Sequence, residues 1–215
     1  MATAFYVSTK RLMDIILSAF LLLLFCPIIL IIAILIKLDT PGPIFARTPM
    51  RVGKNGELFR MYKFRSMIQN AHELLRENPE FRKLYEEYKR GSYKLTNDPR
   101  VTKVGHFIRK HSLDEVPQFV NVLKGDMSIV GPRAYYADEL QDQQKKYPHT
   151  QDAVRIVLSV KPGITGQWQV SGRSMINFDK RISVDAAYVG RESITYDLWI
   201  ILKTPWAMIS GKNAL

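Results

Sequence analysis

Ile15 to Ile36 reads IILSAFLLLLFCPIILIIAILI and contains no charged residue. At about 1.5 Å per residue a straight helix over that run reaches roughly 33 Å, enough to cross the hydrocarbon core of a bilayer. A cleaved leader is a poor description, because the apolar run is too long and ILIKLDTPGP offers no small-x-small cleavage site. On hydropathy alone a single membrane-crossing anchor is the simplest reading. Two features favour another. Pro27 sits in mid-run, where proline removes a helix hydrogen bond and kinks or breaks the helix at a cost of roughly 3 kcal/mol. It leaves halves of about 12 and 10 residues, each about one leaflet deep. Both flanks are also basic. Lys10 and Arg11 precede the run, and Lys37, Arg47, Arg51, Lys54, Arg60, Lys63 and Arg65 follow it, opposed only by Asp39 and Glu57. The positive-inside tendency pulls both ends to the cytoplasm. Residues 1–40 are therefore expected to form a re-entrant membrane helix, broken at Pro27, that enters and leaves by the same face.

The chain has 215 residues, long enough for a buried core. Lys and Arg number 31 against 20 Asp and Glu, a net charge of +11, which points to anionic partners: nucleic acid, phosphorylated metabolites or an anionic membrane face. One cysteine, Cys26, excludes an internal disulfide framework, and four scattered histidines (His72, His106, His111, His149) make no zinc pattern. No recognition-helix or stacking-platform motif accompanies the charge, so nucleic acid is not expected as a partner.

After the turn at Asp39-Thr-Pro-Gly-Pro43, short strands are expected from Pro43 to Tyr62 around Gly53-Lys-Asn-Gly56. Ser66 to Arg90 reads as an amphipathic helix interrupted at Pro79. Asn97-Asp-Pro is expected to open a helix towards Lys110. Ser112 to Lys124 reads as a further helix stopped by Gly125. Ala134–Tyr147 and Thr150–Leu158 follow as helices, Lys161–Arg173 as strand or loop, and Ile194–Ile209 as an apolar, aromatic tail. The expected fold is α+β and predominantly helical. It comprises the proline-kinked re-entrant helix, amphipathic interfacial helices, and a small β/loop element around an active site within one domain, 41–215.

The glycines form no G-x-G pair and no G-x-x-x-x-G-K-[ST] loop, and neither G-x-S-x-G nor H-E-x-x-H occurs. Ser112-Leu-Asp-Glu-Val-Pro-Gln118 is what remains. Its plain reading is a capping box, Ser112 with Glu115, at a helix start. Its functional reading puts Asp114 and Glu115 at a helix N-terminus, where an ionised Asp can attack phosphorus to form an acyl phosphate. Such chemistry demands neutralising charge: a divalent metal and several cations. Lys63 and Arg65 in Tyr-Lys-Phe-Arg-Ser-Met67, Arg109, Arg133 in Val-Gly-Pro-Arg and Arg173 in Val-Ser-Gly-Arg are the candidates.

Taken in order, KFRSM, NDPRVTKVGHFIRKHSLDEVPQ, NVLKGDMSIVGPR and KPGITGQWQVSGR make the chain resemble the bacterial sugar transferases, the monotopic phosphoglycosyl transferases. The likeness begins at Lys10-Arg-Leu-Met-Asp14 and covers nearly the whole chain. It implies transfer of a sugar 1-phosphate from a UDP-sugar to polyprenyl (undecaprenyl) phosphate with release of UMP, the first membrane step of a bacterial glycan. It further implies Asp114 as nucleophile, Mg2+ at Asp114 and Glu115, and Lys63, Arg133 and Arg173 in motifs that line the phosphate and nucleotide site. The family's membrane helix, broken at a proline, agrees with the reading of Pro27, although Cys26 stands where small relatives often have serine. Proline is common where Ala134 follows Gly-Pro-Arg.

The resemblance also implies a place at the cytoplasmic face of the inner membrane, with membrane lipid as a partner. It leaves a homodimer open. This chain is expected to be the small form that begins directly at the catalytic unit, and its Trp-containing tail leans towards galactose or glucose. A basic, membrane-bound scaffold for anionic lipids is the rival reading, but it gives no reason for two adjacent acids amid arginines and glycine turns.

Overall fold

A computed structural model describes residues 3–90, 93, 95, 97–171 and 177–209. The first element, α1, is a single helix from Ala4 to Asp39, and Pro27 lies inside it. The Thr3 hydroxyl caps its start by accepting from the Tyr6 N–H at 3.2 Å. Two polar side chains of α1 turn inward: Asp14 is 3% exposed and Ser18 is fully buried. Asp14 accepts from the Ser128 hydroxyl and the Ile129 N–H. By contrast Phe20, Leu23, Leu24, Leu30 and Ile31, in the middle of the helix, are exposed.

Two small sheets carry the β structure. Strands β1 (Arg51–Val52) and β2 (Leu58–Phe59) pair antiparallel around a tight turn, and β1 also pairs antiparallel with β4 (Tyr135–Tyr136), Arg51 opposite Tyr136. Strands β3 (Ser128–Val130) and β5 (Gly163–Thr165) form a parallel pair. Close approach of backbones explains their glycines. A Cβ on Gly163 would lie 2.1 Å from the Gly131 N, and one on Gly131 would lie 2.5 Å from the Lys161 O.

Helices wrap these strands. Helices α2 (Ala71–Glu77) and α3 (Arg82–Arg90) are separated near Pro79, as the sequence suggests, and Leu75 and Tyr88 share a cluster with Tyr136. Helix α4 (Lys103–Lys110) starts later than expected. Asp98 grips Arg100 in a local clamp, and Thr102, not Asn97, caps the helix by accepting from the Gly105 N–H. The expected helix from Ser112 is likewise divided into a single 3-10 turn, Leu113–Glu115, and α5 (Gln118–Lys124). Gly125 ends α5 with φ of 92°, and its N–H donates to the Asn121 and Val122 carbonyls, the predicted stop.

Helix α6 (Ala137–Lys146) begins after Tyr135–Tyr136, which the β1 partner holds extended. Helices α7 (Gln151–Leu158), α8 (Gln167–Val170), α9 (Phe178–Val189) and α10 (Ile194–Ile209) complete the chain. One apolar core joins Phe59, Met61, Val122, Val130, Tyr188 and Ile200; a second joins Val52, Tyr135, Val154, Phe178 and Ile182. The fold is mostly helical with a small mixed β element and one long apolar N-terminal helix.

Candidate active site

Ser112 takes a left-handed conformation, φ 53°, and its side chain makes no cap hydrogen bond. The capping box expected with Glu115 therefore does not form. The kink instead turns the next three residues towards the chain segment at Lys63. There the Phe64 N–H donates to the Asp114 carbonyl at 3.0 Å, fixing the turn's backbone. Leu113 packs with Phe64, Ile108, Ile32 and Ile36, so the apolar anchor of the turn is shared with the end of α1.

Asp114 is 8% exposed. Lys63 Nζ lies 2.6 Å from Glu115 Oε1 and 3.9 Å from Asp114 Oδ2, which makes it the cation shared by the dyad. Burial pushes the Asp114 carboxyl up to about 6; Lys63 and Arg109 oppose the rise and Glu115 adds to it. The three side chains open on a cavity of about 290 Å³.

The predicted cations occupy different stations. Arg109 lines the cavity, with a buried Nη1 that has no partner among the described residues. Arg133 also lines it; its backbone N–H donates to Asp185 Oδ2 at 3.1 Å, and its Nε is buried without a partner among the described residues. Arg65 reaches the cavity wall but directs its guanidinium to backbone. Nε donates to the Pro43 O, Nη1 to the Thr40 hydroxyl, and Nη2 to the Ile36 and Thr40 carbonyls. It thus ties the end of α1 to the segment carrying Lys63. Arg173 lies outside the described residues.

Among the described residues no group of three or more His, Cys, Asp or Glu is placed to hold a metal. Two adjacent carboxylates on an open cavity still suit Mg2+, which is commonly held by one or two carboxylates together with waters and substrate phosphates. The donor set fits an ion shared with a phosphorylated substrate, not a closed protein cage.

Sequence reasoning missed a buried layer behind Arg133. Glu139, Arg181 and Asp185 are 1%, 3% and 0% exposed. Arg181 Nη1 stands 3.8 Å from Glu139 Oε1, and both Arg133 and Arg181 face the Trp168 ring. The capping residue Glu139 has a local signature, since its carboxylate accepts from the Tyr136 N–H. Asp185 has none; it is a lone acid among the apolar positions of α9.

A buried carboxylate beside a lysine thus faces a cavity lined by arginines, close to the end of a long apolar helix. A family model described as bacterial sugar transferase matches residues 5–211, and the chain belongs to that family. It is 43% identical over 209 residues to an undecaprenyl-phosphate galactose phosphotransferase of Salmonella typhimurium, covering 95% of this chain and 41% of that protein. It is 38% identical over 210 residues to a UDP-glucose:undecaprenyl-phosphate glucose-1-phosphate transferase of Escherichia coli, again covering 95% and 41%. The exopolysaccharide production protein ExoY of Rhizobium meliloti is 41% identical over 199 residues, 91% of this chain and 83% of that one. The chain thus spans about two-fifths of the first two relatives and most of the third.

Proposed function

We propose that this chain transfers a sugar 1-phosphate from a UDP-sugar to polyprenyl (undecaprenyl) phosphate and releases UMP. The observation that carries the reading is Asp114, buried at the cavity beside Glu115 and Lys63 and faced by Arg109 and Arg133. In the first half-reaction an Asp114 carboxylate oxygen attacks the sugar-bearing phosphorus. An acyl-phosphate bond forms, the bond to the bridging oxygen breaks, and UMP departs with that oxygen. In the second, an oxygen of the lipid phosphate attacks the same phosphorus, forms the diphosphate and returns the carboxylate. Lys63 neutralises the dyad so that an anionic diphosphate can approach, and Arg109 and Arg133 offer unsatisfied donors to phosphate oxygens. Mg2+, held by Asp114 and Glu115, would supply further charge neutralisation on the diphosphate. Arg65 acts one step back, by holding the Lys63 segment against α1.

Residues 1–40 serve as a re-entrant hairpin, and 41–215 as a catalytic domain at the cytoplasmic face of the bacterial inner membrane. Contacts of both ends of α1 with the one catalytic domain support this reading. Galactose or glucose is the proposed sugar, the two hexoses in the names of the relatives.

The test is UMP release by protein in nanodiscs with Mg2+, undecaprenyl phosphate and UDP-galactose or UDP-glucose. Asp114→Ala should lower turnover by roughly 10³-fold or more, as removal of a nucleophile does elsewhere. Wild-type protein given donor alone should gain the mass of one hexosyl phosphate, and the variant should not. Near-normal turnover by Asp114→Ala would remove the covalent mechanism. Folded wild-type protein that releases no UMP from either sugar would favour the lipid-binding scaffold.

A further inference from the structure

The cavity that holds the dyad has a wall built by Thr48, Arg51, His72 and Tyr136, with His72 and Arg51 both against the Tyr136 ring. Arg133 lines the same cavity, and the carboxylates of Glu115 and Glu139 both favour its charged form. At this wall the polar groups are present but unspent. Arg51 is 6% exposed, and its guanidinium lies 3.3 Å from the centroid of the Tyr136 ring. Nη1 donates to the Ala134 carbonyl, while Nε is buried with no partner among the described residues. The Thr48 hydroxyl is likewise buried and unpartnered among them. His72 meets Tyr136 edge-on, and neither of its ring nitrogens makes a hydrogen bond to a described residue. Arg100 on the same wall is different, because Asp98 and the Ala71 carbonyl occupy its fork.

Buried, unmade hydrogen bonds are costly, which marks the wall as a place where a ligand completes the pairing. Charge tells which ligand part. On a nucleotide sugar the attacked phosphorus stands between a neutral sugar and an anionic nucleotide, and in-line displacement puts the leaving group opposite the nucleophile. Thr48, Arg51 and His72 line the same cavity and make no hydrogen bond or ion pair with Asp114 among the described residues, and Arg51 keeps a buried N–H unpaired there, so this wall suits the leaving group. We propose that Thr48, Arg51 and His72 form the subsite for the leaving uridine nucleotide, with Arg133 at its phosphate; this rests on the phosphotransfer reading above. A uracil edge presents two carbonyl acceptors and one N–H donor. An arginine N–H, a hydroxyl and a neutral imidazole can meet that pattern. His72 is neutral near pH 7, since burial and then Arg100, Arg51 and Arg76 hold it down to about 4.

The experiment is equilibrium binding of UMP to the full chain in nanodiscs, for wild type, Thr48→Val and His72→Phe, with a thermal melt of each without nucleotide. Thr48→Val keeps the shape and removes an unpaired buried hydroxyl. Its melting temperature should hold or rise, while the Kd for UMP rises about tenfold. His72→Phe should weaken UMP to a similar extent. In turnover assays both should raise KM for the UDP-sugar and leave kcat within about threefold, because the interaction is uniform binding of the nucleotide. Wild-type UMP affinity in both folded variants would overturn the subsite, even with full transferase activity. Thr48-dependent UMP binding by a wild-type protein that turns over no donor would uphold the subsite and overturn the phosphotransfer reading. Wild-type protein that neither binds nor releases UMP would overturn both.

Discussion

Asp185 has no solvent contact, and among the described residues it receives one hydrogen bond, from the Arg133 N–H, while its Oδ1 has no partner. Burial pushes its carboxyl up to about 7, against the pull of that N–H and of Arg181 and Arg133; Glu139 and Tyr135 complete its surroundings. The folded protein holds a proton on Asp185 that the unfolded chain releases near pH 4. Its contribution to stability is complete below that value and is lost as pH rises through about 7, roughly 4 kcal/mol at most. His72 acts in the opposite sense. Its folded value of about 4 lies below the unfolded 6.5, so its contribution is present above pH 6.5 and lost as pH falls towards 4. The two slopes oppose each other over a shared window. Relative to wild type, Asp185→Asn should gain stability as pH rises from about 4 to 7, and His72→Phe should lose it from about 4 to 6.5. Melting temperatures across that range would show it, and parallel profiles for all three proteins would refute both assignments. The same residues show how far the sequence was legible. Asp114 stood out because an adjacent acid, a serine and a proline surround it. Asp185 did not, because a buried acid on one face of α9 follows the same spacing as an exposed one.

At the scale of elements, the expected and observed structures part where a local side-chain bond competes with the helix. Asn97-Asp-Pro resembles a helix start, but the Asp98–Arg100 clamp holds that segment in a turn and delays α4 to Lys103. The Ser112 kink breaks a second expected helix and thereby aims Asp114 at Lys63. The two short sheets were legible only at Gly53–Gly56 and, as strand or loop, at Lys161–Arg173, which holds β5; β3 and β4 were not, because strands of two or three residues carry no periodicity. Their glycines are nonetheless specific. A methyl group on Gly163 would meet the Gly131 N at 2.1 Å and the Thr165 O at 2.4 Å, both backbone atoms that cannot swing aside. Gly163→Ala should cost about 1–3 kcal/mol and displace the Gly131-Pro132-Arg133 segment, whose Pro132 carbonyl accepts from the Gly163 N–H. Gly190→Ala is the control: its φ is −70° and the nearest contact is an ordinary 3.7 Å. It should be neutral or stabilise by about 0.4–1 kcal/mol. Equal melting temperatures for the two variants would count against close packing of β3 on β5.

At the scale of the molecule, the decisive question is where the two ends of α1 lie. A straight helix of 36 residues would be about 54 Å long. Its first turns are bound by Tyr6 and Lys10 to Asp197, by Arg11 to the Val122 and Leu123 carbonyls, and by Asp14 to β3. Its last turns are bound through Ile32 and Ile36 to Phe64 and Ile108, and through the Arg65 guanidinium. Both sets of contacts belong to one domain, whereas the residues between them, around Cys26 and Pro27, are largely exposed. A helix spanning the bilayer would place one set on the wrong side and leave Lys10, Arg11, Asp14 and Asp197 without their partners, a loss several kcal/mol deep. The proposed hairpin would keep both sets and sink only the apolar middle. In a Cys26→Ser background, a single cysteine at Thr3 and another at Asn55 should therefore react with an impermeant maleimide only when the cytoplasmic face is open. Labelling of the Thr3 position from outside alone would exclude the hairpin. Pro27→Ala restores the hydrogen bond that proline denies and favours a straight helix by up to roughly 3 kcal/mol. It should admit a fraction of outside labelling at Thr3 and lower UMP release in proportion, because every molecule that spans loses the contacts holding Lys63 and Asp114 at the membrane surface.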